Sequence, residues 1–157
     1  EAESIVHFKK ALEIHKECGN VENESITLGN IGDSLLALGR TQEAKPFLQQ
    51  AIDLGKSIEY LLATSVFSGS LAQVLATEGL TEEALHLIAN GEDVLKKHPL
   101  EHAKFLCKAT IVYSCCGRLQ EATQCVARAE ELASTLETTD NQGLTKLLSL
   151  ARASLRQ

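Results

Sequence analysis

Apolar residues fall at helical spacing along nearly the whole chain, and the same order of sizes comes round three times. Leu28, Ile31, Gly32 and Leu35 put a large, large, small, large set on one side of a helix, because residues three and four apart share a face. Ser68, Leu71, Ala72 and Leu75 repeat the set with one polar lapse, and Leu106, Ala109, Thr110 and Tyr113 repeat it again. A second stripe, small then large then small, follows each: Ala44, Leu48, Ala51; Ala84, Ile88, Gly91; and Ala122, Val126, Ala129. Between the two stripes stands a six-residue phrase. Gly-Arg-Thr-Gln-Glu-Ala (Gly39 to Ala44) returns as Gly-Leu-Thr-Glu-Glu-Ala (Gly79 to Ala84) and as Gly-Arg-Leu-Gln-Glu-Ala (Gly117 to Ala122), its glycines 40 and then 38 residues apart. A fixed internal period of this length marks a stacked repeat architecture.

The phrase has a mechanical reading. Gly39, Gly79 and Gly117 stand where a helix must stop, and glycine tolerates the left-handed backbone that ends one. Thr41 and Thr81 then offer a hydroxyl as N-cap for the next helix, with Glu in its first turn. The pattern predicts an all-α array of about seven helices forming one domain over 1–157. A leading helix over about 2–18 carries Ser4, Phe8 and Ala11 in the register of Ala44, Leu48 and Ala51, which makes 1–18 a half repeat, a second helix without its first. Three full repeats follow at 22–54, 58–97 and 99–136. A final helix over 141–156, with Leu144, Leu147, Leu148, Ala151 and Leu155 on one stripe, is expected to cap the stack. Pro46, just past the first turn of its helix, predicts a bend and not a break, and Pro99 a clean helix start.

At these residues the chain resembles the tetratricopeptide repeat (TPR) family. That family's repeats place large, large, small and large residues on helix A, a Gly at the turn, and small, large and small residues on helix B. The resemblance implies a right-handed superhelical array of antiparallel helical hairpins, and a chain that binds other proteins. The departures are a period near 40 where the family's usual one is 34, no aromatic at the first consensus position, and no Pro closing helix B. The longer period is similar to the long-helix subset found in regulatory scaffolds and large bacterial signalling proteins.

Composition narrows the classes. Apolar residues are 44% and charged residues 23%, the balance of a folded chain, and the aromatic share of 4% with no Trp suits helices packed closely through Leu and Ala. A net charge of −6 without any basic run speaks against a nucleic-acid partner, which would be held by clustered Lys and Arg. No stretch approaches the roughly 20 apolar residues that span a bilayer, so no membrane partner is expected. Five cysteines, an odd number without disulfide-framework spacing, point to a reducing, cytoplasmic setting. Met is absent even at position 1, so the chain is expected to be a piece of a longer protein.

Strings that could carry chemistry weigh little. His98-Pro-Leu-Glu-His102 spells H-x-x-E-H, but that zinc chemistry needs both histidines on one helical face, and Pro99 leaves His98 outside the helix. Cys107, Cys115, Cys116 and Cys125 lack paired metal-ligand spacing and read as small apolar residues. No phosphate loop or nucleophile elbow occurs. No enzyme activity, metal or cofactor is expected.

What remains is recognition. The resemblance implies that the A helices line a concave groove, where the family's inward positions correspond to Asn30 and Asp33, Ser70 and Gln73, and Lys104, Lys108 and Ile111. Only Lys104 and Lys108 match the residues with which some family members clamp a terminal carboxylate, and Asp33 would repel one. The leading expectation is therefore a scaffold segment that takes a peptide or helix of a partner protein. The alternative is self-association into a homodimer through Ile5, Phe8 and Leu12, an apolar stripe if the leading helix leaves it uncovered. A weaker alternative is the ligand-sensor domain of a bacterial transcriptional regulator.

Overall fold

The computed structural model describes residues 2–136 and 142–156. Among them run eight α-helices: α1 Ala2–Glu17, α2 Val21–Ala37, α3 Thr41–Ser57, α4 Leu61–Thr77, α5 Thr81–Leu95, α6 Pro99–Cys115, α7 Leu119–Thr135 and α8 Gln142–Ser154. The count of about seven is thereby corrected to eight: the half repeat, three hairpins and final helix, taken separately, make that number. Asn141, the expected first residue of the last helix, lies outside the described residues. Pro46 does not break α3, which runs through it.

The turns between paired helices share one device. At the end of α2, Gly39 adopts φ 72°, its N–H bonds Leu36 O at 2.9 Å, and Arg40 N–H bonds Leu35 O at 2.9 Å. Two of the carbonyls left over at a helix end are thus satisfied. Arg40 is at once the last residue of this turn and the residue that begins α3, so Thr41 falls one place too late to cap. The same shift puts Leu80 in the capping position ahead of Thr81, and neither α3 nor α5 has a side-chain cap bond. The expectation of threonine caps is corrected accordingly. Arg40 instead holds the Glu43 carboxylate with two hydrogen bonds of 2.7 Å across the first turn.

Packing sorts the helices into two layers. The backbone of each of α2, α4 and α6 runs close to the next member of the set α2, α4, α6 and α8, whereas among the described residues no such backbone approach joins α1 to α3, α3 to α5, or α5 to α7. The first set forms the inner layer and the second the outer one. α8 packs chiefly on α6, in the place that a further inner helix would take. Small residues allow the inner helices to approach. A Cβ on Gly29 would run into the Phe67 ring, and one on Gly69 would stand 2.9 Å from the Phe105 ring, which Gly91 of the outer helix α5 meets in the same way at 2.8 Å. Phe67 and Phe105 are each buried in the next helix's contact with the last, and each such ring contributes about 1.5–3 kcal/mol by leaving water.

Candidate functional site

The inner helices turn one face to a groove that α8 closes on its far side. One cavity of about 450 Å³ is lined by Ile26, Asn30 and Asp33 from α2, by Tyr60, Leu62, Ala63, Val66 and Phe67 at the start of α4, by Glu101, Lys104 and Lys108 from α6, and by Gly143 and Leu147 from α8. A second, of about 280 Å³, lies beyond Asp33 and Lys108 between Ser34, Leu36, Ala37, Gln73 and the α8 residues Gly143, Lys146, Leu147 and Leu150. Asp33, Lys108, Gly143 and Leu147 belong to both cavities.

The groove positions expected from the sequence divide into three groups. Asn30 and Gln73 are half-buried and line the cavities, with no side-chain hydrogen bond among the described residues. Ser70 and Lys108 are buried and already engaged: Lys108 Nζ donates to Ser70 Oγ at 2.6 Å and to Asp33 Oδ2 at 3.0 Å. Lys104 donates to Glu101 Oε1 one turn earlier at 2.9 Å. Neither lysine stands free on a solvated face, which removes the pair that a carboxylate clamp would use. Ile111, half-buried on α6, lines neither cavity.

Asp33 carries the asymmetry of the site. Its Oδ2 is held by Lys108, while its Oδ1 is shielded from solvent and has no hydrogen-bond partner. A carboxylate oxygen withdrawn from water without a donor is costly, and such groups are uncommon in folded proteins.

Two sets of wall residues were not foreseen as groove residues. Tyr60 and Leu62 sit at the turn into α4, and Gly143, Leu147 and Leu150 enter from α8. Leu147 was assigned to the capping stripe. That α8 takes an inner-layer place on α6 is the missing step, and the leucine spacing alone does not specify it.

The self-association stripe is corrected. Ile5 and Leu12 are buried at 6% and 9% exposure, and Phe8 is half-buried, because this face of α1 packs on α2. The apolar residues that α1 does expose are Val6 and Ile14, on its other side.

The chemical strings settle into structural parts. His98 precedes α6, and His102 is buried with its Nε2 donating to Glu92 Oε1 at 3.1 Å. Arg128 donates to the same oxygen, so Glu92 joins α5, α6 and α7. Burial pushes the Glu92 carboxyl up, but these two bonds outweigh it and hold its pKa below the usual value. Burial raises the Cys107 thiol to about 12 and the Cys125 thiol to about 11, which leaves both protonated and poor nucleophiles. Among the described residues no cluster of His, Cys, Asp and Glu has a metal-holding arrangement, and no helix is long and apolar enough to cross a membrane.

Residues 2–57, which span α1, α2 and α3, match the family model of the tetratricopeptide repeat. The whole array has the TPR-like fold: it is similar to the nearly identical TPR-like repeats assigned to a kinesin light chain of Podosopora anserina. A substituted form of that protein superposes with a TM-score of 0.62 at 18% identity, covering 98% of this chain and 85% of that one. Its unsubstituted counterpart gives 0.61 at 18%, covering 98% and 86%. No curated protein sequence matches the chain. TPR repeats are in general protein–protein interaction modules rather than catalysts.

Proposed function

We propose that the chain is an interaction scaffold that receives a peptide or helix of a partner protein in the groove of its inner layer, as one part of a larger regulatory or signalling protein in the cytoplasm. The observation that carries this reading is the cavity of about 450 Å³ beside α2, α4, α6 and α8. Its walls are apolar side chains that are only half-buried (Ile26, Leu62, Val66, Leu147); the unengaged amide of Asn30 lines it, and that of Gln73 lines the adjoining smaller cavity. Apolar walls with a few convergent polar groups suit a side chain of a bound segment together with its backbone. In this reading α8 acts as both cap and groove wall.

The test is selection of binders from a random peptide library on the intact chain, with parallel selection on Val66→Asp and Leu147→Asp, both checked for helicity by circular dichroism. Groove recognition requires peptides that bind the parent chain and lose at least about tenfold in affinity, about 1.4 kcal/mol, on either variant. Binders indifferent to both substitutions would refute it.

Self-association keeps a narrower basis than the sequence suggested, namely Val6 and Ile14 at 54% and 57% exposure on α1. Light scattering over a range of concentrations separates the readings. A dimer that Val6→Asp splits and Val66→Asp leaves whole would place the interface on α1.

A further inference from the structure

We infer that copies of this chain join head to tail, α8 of one lying against α1 of the next as the two helices of a hairpin shared between molecules. This is independent of groove recognition. Within the chain, the second helix of a hairpin lays a small, large, small face on the first. Leu48 of α3 lies so close to Gly32 of α2 that a Cβ there would stand 2.6 Å from it. Ala44, Leu48 and Ala51 are buried, as are their counterparts on α5 and α7. On α1 the same places hold Ser4, Phe8 and Ala11, the first exposed and the others half-buried, because among the described residues the backbone of α1 approaches α2 alone. Ile14, where α3 has the half-buried Leu54, is exposed as well. α1 is a second helix whose first-helix face is uncovered.

α8 is the converse. Its backbone approaches α6 and α7, the hairpin before it, and among the described residues no outer helix of its own. Leu148 stands 38 residues after Thr110, at the place of Gly32 and Ala72. Those three are buried under an outer helix, and Leu148 is half-buried.

Charge points to the same pairing. Two hairpins are clasped at the turn by an arginine and a glutamate: Arg40 holds Glu43 with two bonds of 2.7 Å, and Arg118 holds Glu121 at 2.8 Å. Glu3 precedes Glu43 by 40 residues and Arg156 follows Arg118 by 38, the spacings of the repeat itself. Both are exposed. One more clasp is therefore divided between the two ends of the chain, its acid on α1 and its base just past α8. Pairing α8 with α8 would instead set like charges together, since that helix carries Lys146 and Arg152 and no acid. The seam is looser than a hairpin, because Leu148 and Phe8 fill the space that Gly32 and Leu48 fill within the chain, and bulkier side chains hold helices further apart. Association is accordingly reversible. Each joined copy leaves an end open, so the assembly grows and does not close at two.

Sedimentation velocity of the chain over a range of concentrations tests this, with Glu3→Arg and Arg156→Glu as exposed charge reversals. The average mass of the parent should rise through the dimer without a plateau. Each reversal alone sets like charges across the seam and should weaken association by about fivefold. An equimolar mixture of the two variants should recover it, because every seam between unlike copies again joins an acid to a base. Phe8→Asp, checked for helicity by circular dichroism, should leave a monomer. A chain that stays monomeric at every concentration would overturn the inference. So would a mass that halts at two and is indifferent to Arg156→Glu, which would assign the contact to paired α1 helices.

Discussion

Lys108 Nζ lies 3.0 Å from Asp33 Oδ2, although 75 residues separate them in the chain. One residue belongs to α6 and the other to α2, so the bond passes over α4. Gly69 lies beneath it on α4: a Cβ there would stand 3.4 Å from Lys108 Cδ, an ordinary contact. Ser70, next along α4, takes a second hydrogen bond from the same ammonium at 2.6 Å. Three inner helices are therefore tied at one point by a lysine that is 6% exposed.

Lys108→Met should destabilise the fold by about 1–2 kcal/mol. Breaking a buried pair costs more than that when the survivor is fully enclosed, but the Asp33 side chain is 35% exposed and water takes up part of the loss. Adding Asp33→Asn should recover much of it, since the abandoned charge is then gone. Urea denaturation of the two single variants and the double one gives the coupling directly. Strict additivity would show that the pair contributes nothing.

Gly29→Ala is expected to cost about 1–3 kcal/mol, the range for forcing extra volume into a packed contact. The new methyl would meet the Phe67 ring, which lies at Gly29 where α4 crosses α2. Phe67→Leu shortens the intruding side chain and should make Gly29→Ala cheaper in its presence than alone. Thermal melts of the four combinations test this, and equal costs in both backgrounds would show that the ring yields without strain.

The repeat itself was open to reading in the sequence because its signals are local. Helical spacing, a glycine at each hairpin turn and alternating sizes all act within a few residues, and they specified every hairpin. The site depends on relations between repeats. Lys108 reads on its own helix as a charge bound for solvent, and only the stacking of α6 over α4 and α2 turns it inward. Ile5 and Leu12 read as a bare stripe because the sequence does not say which side of α1 meets α2. The caps failed for a smaller reason: one turn residue serves two helices, which moves Thr41 and Thr81 a place along.

Acid should weaken the junction of α5, α6 and α7. The Glu92 carboxyl has a folded-state pKa below its ordinary value of 4.5, because bonds from Arg128 and His102 outweigh burial. A depressed carboxylate contributes stability that is present above the unfolded value and lost as pH falls through the folded one. Glu92→Gln should therefore be less stable than the parent chain near neutrality, and the gap should narrow as pH drops below about 4.5. Urea midpoints of both proteins across that range measure it. A gap that stays constant with pH would mean that the charge of Glu92 is not what holds the junction.

Glu59 offers the opposite kind of change, one that should strengthen the fold. It occupies the turn between α3 and α4 at φ 55°, the conformation that Gly19, Gly39, Gly79 and Gly117 adopt elsewhere at 65–79°. Its N–H bonds Lys56 O at 3.2 Å, and Tyr60 N–H bonds Gly55 O at 2.7 Å, so the turn is closed in the same way. A left-handed backbone costs a residue with a Cβ about 1–2 kcal/mol. Glycine removes that cost but loses about 0.4–1 kcal/mol through the greater freedom of the unfolded chain. Glu59→Gly should then gain about 0.5–1 kcal/mol, equivalent to a rise in Tm of about 1–4 °C for a chain of this size. Gly39→Ala is the matching control. No atom lies within 4 Å of the Cβ it would add, so any loss there comes from the backbone alone. A lower Tm for Glu59→Gly would mean that the glutamate side chain contributes more to this turn than its backbone strain removes.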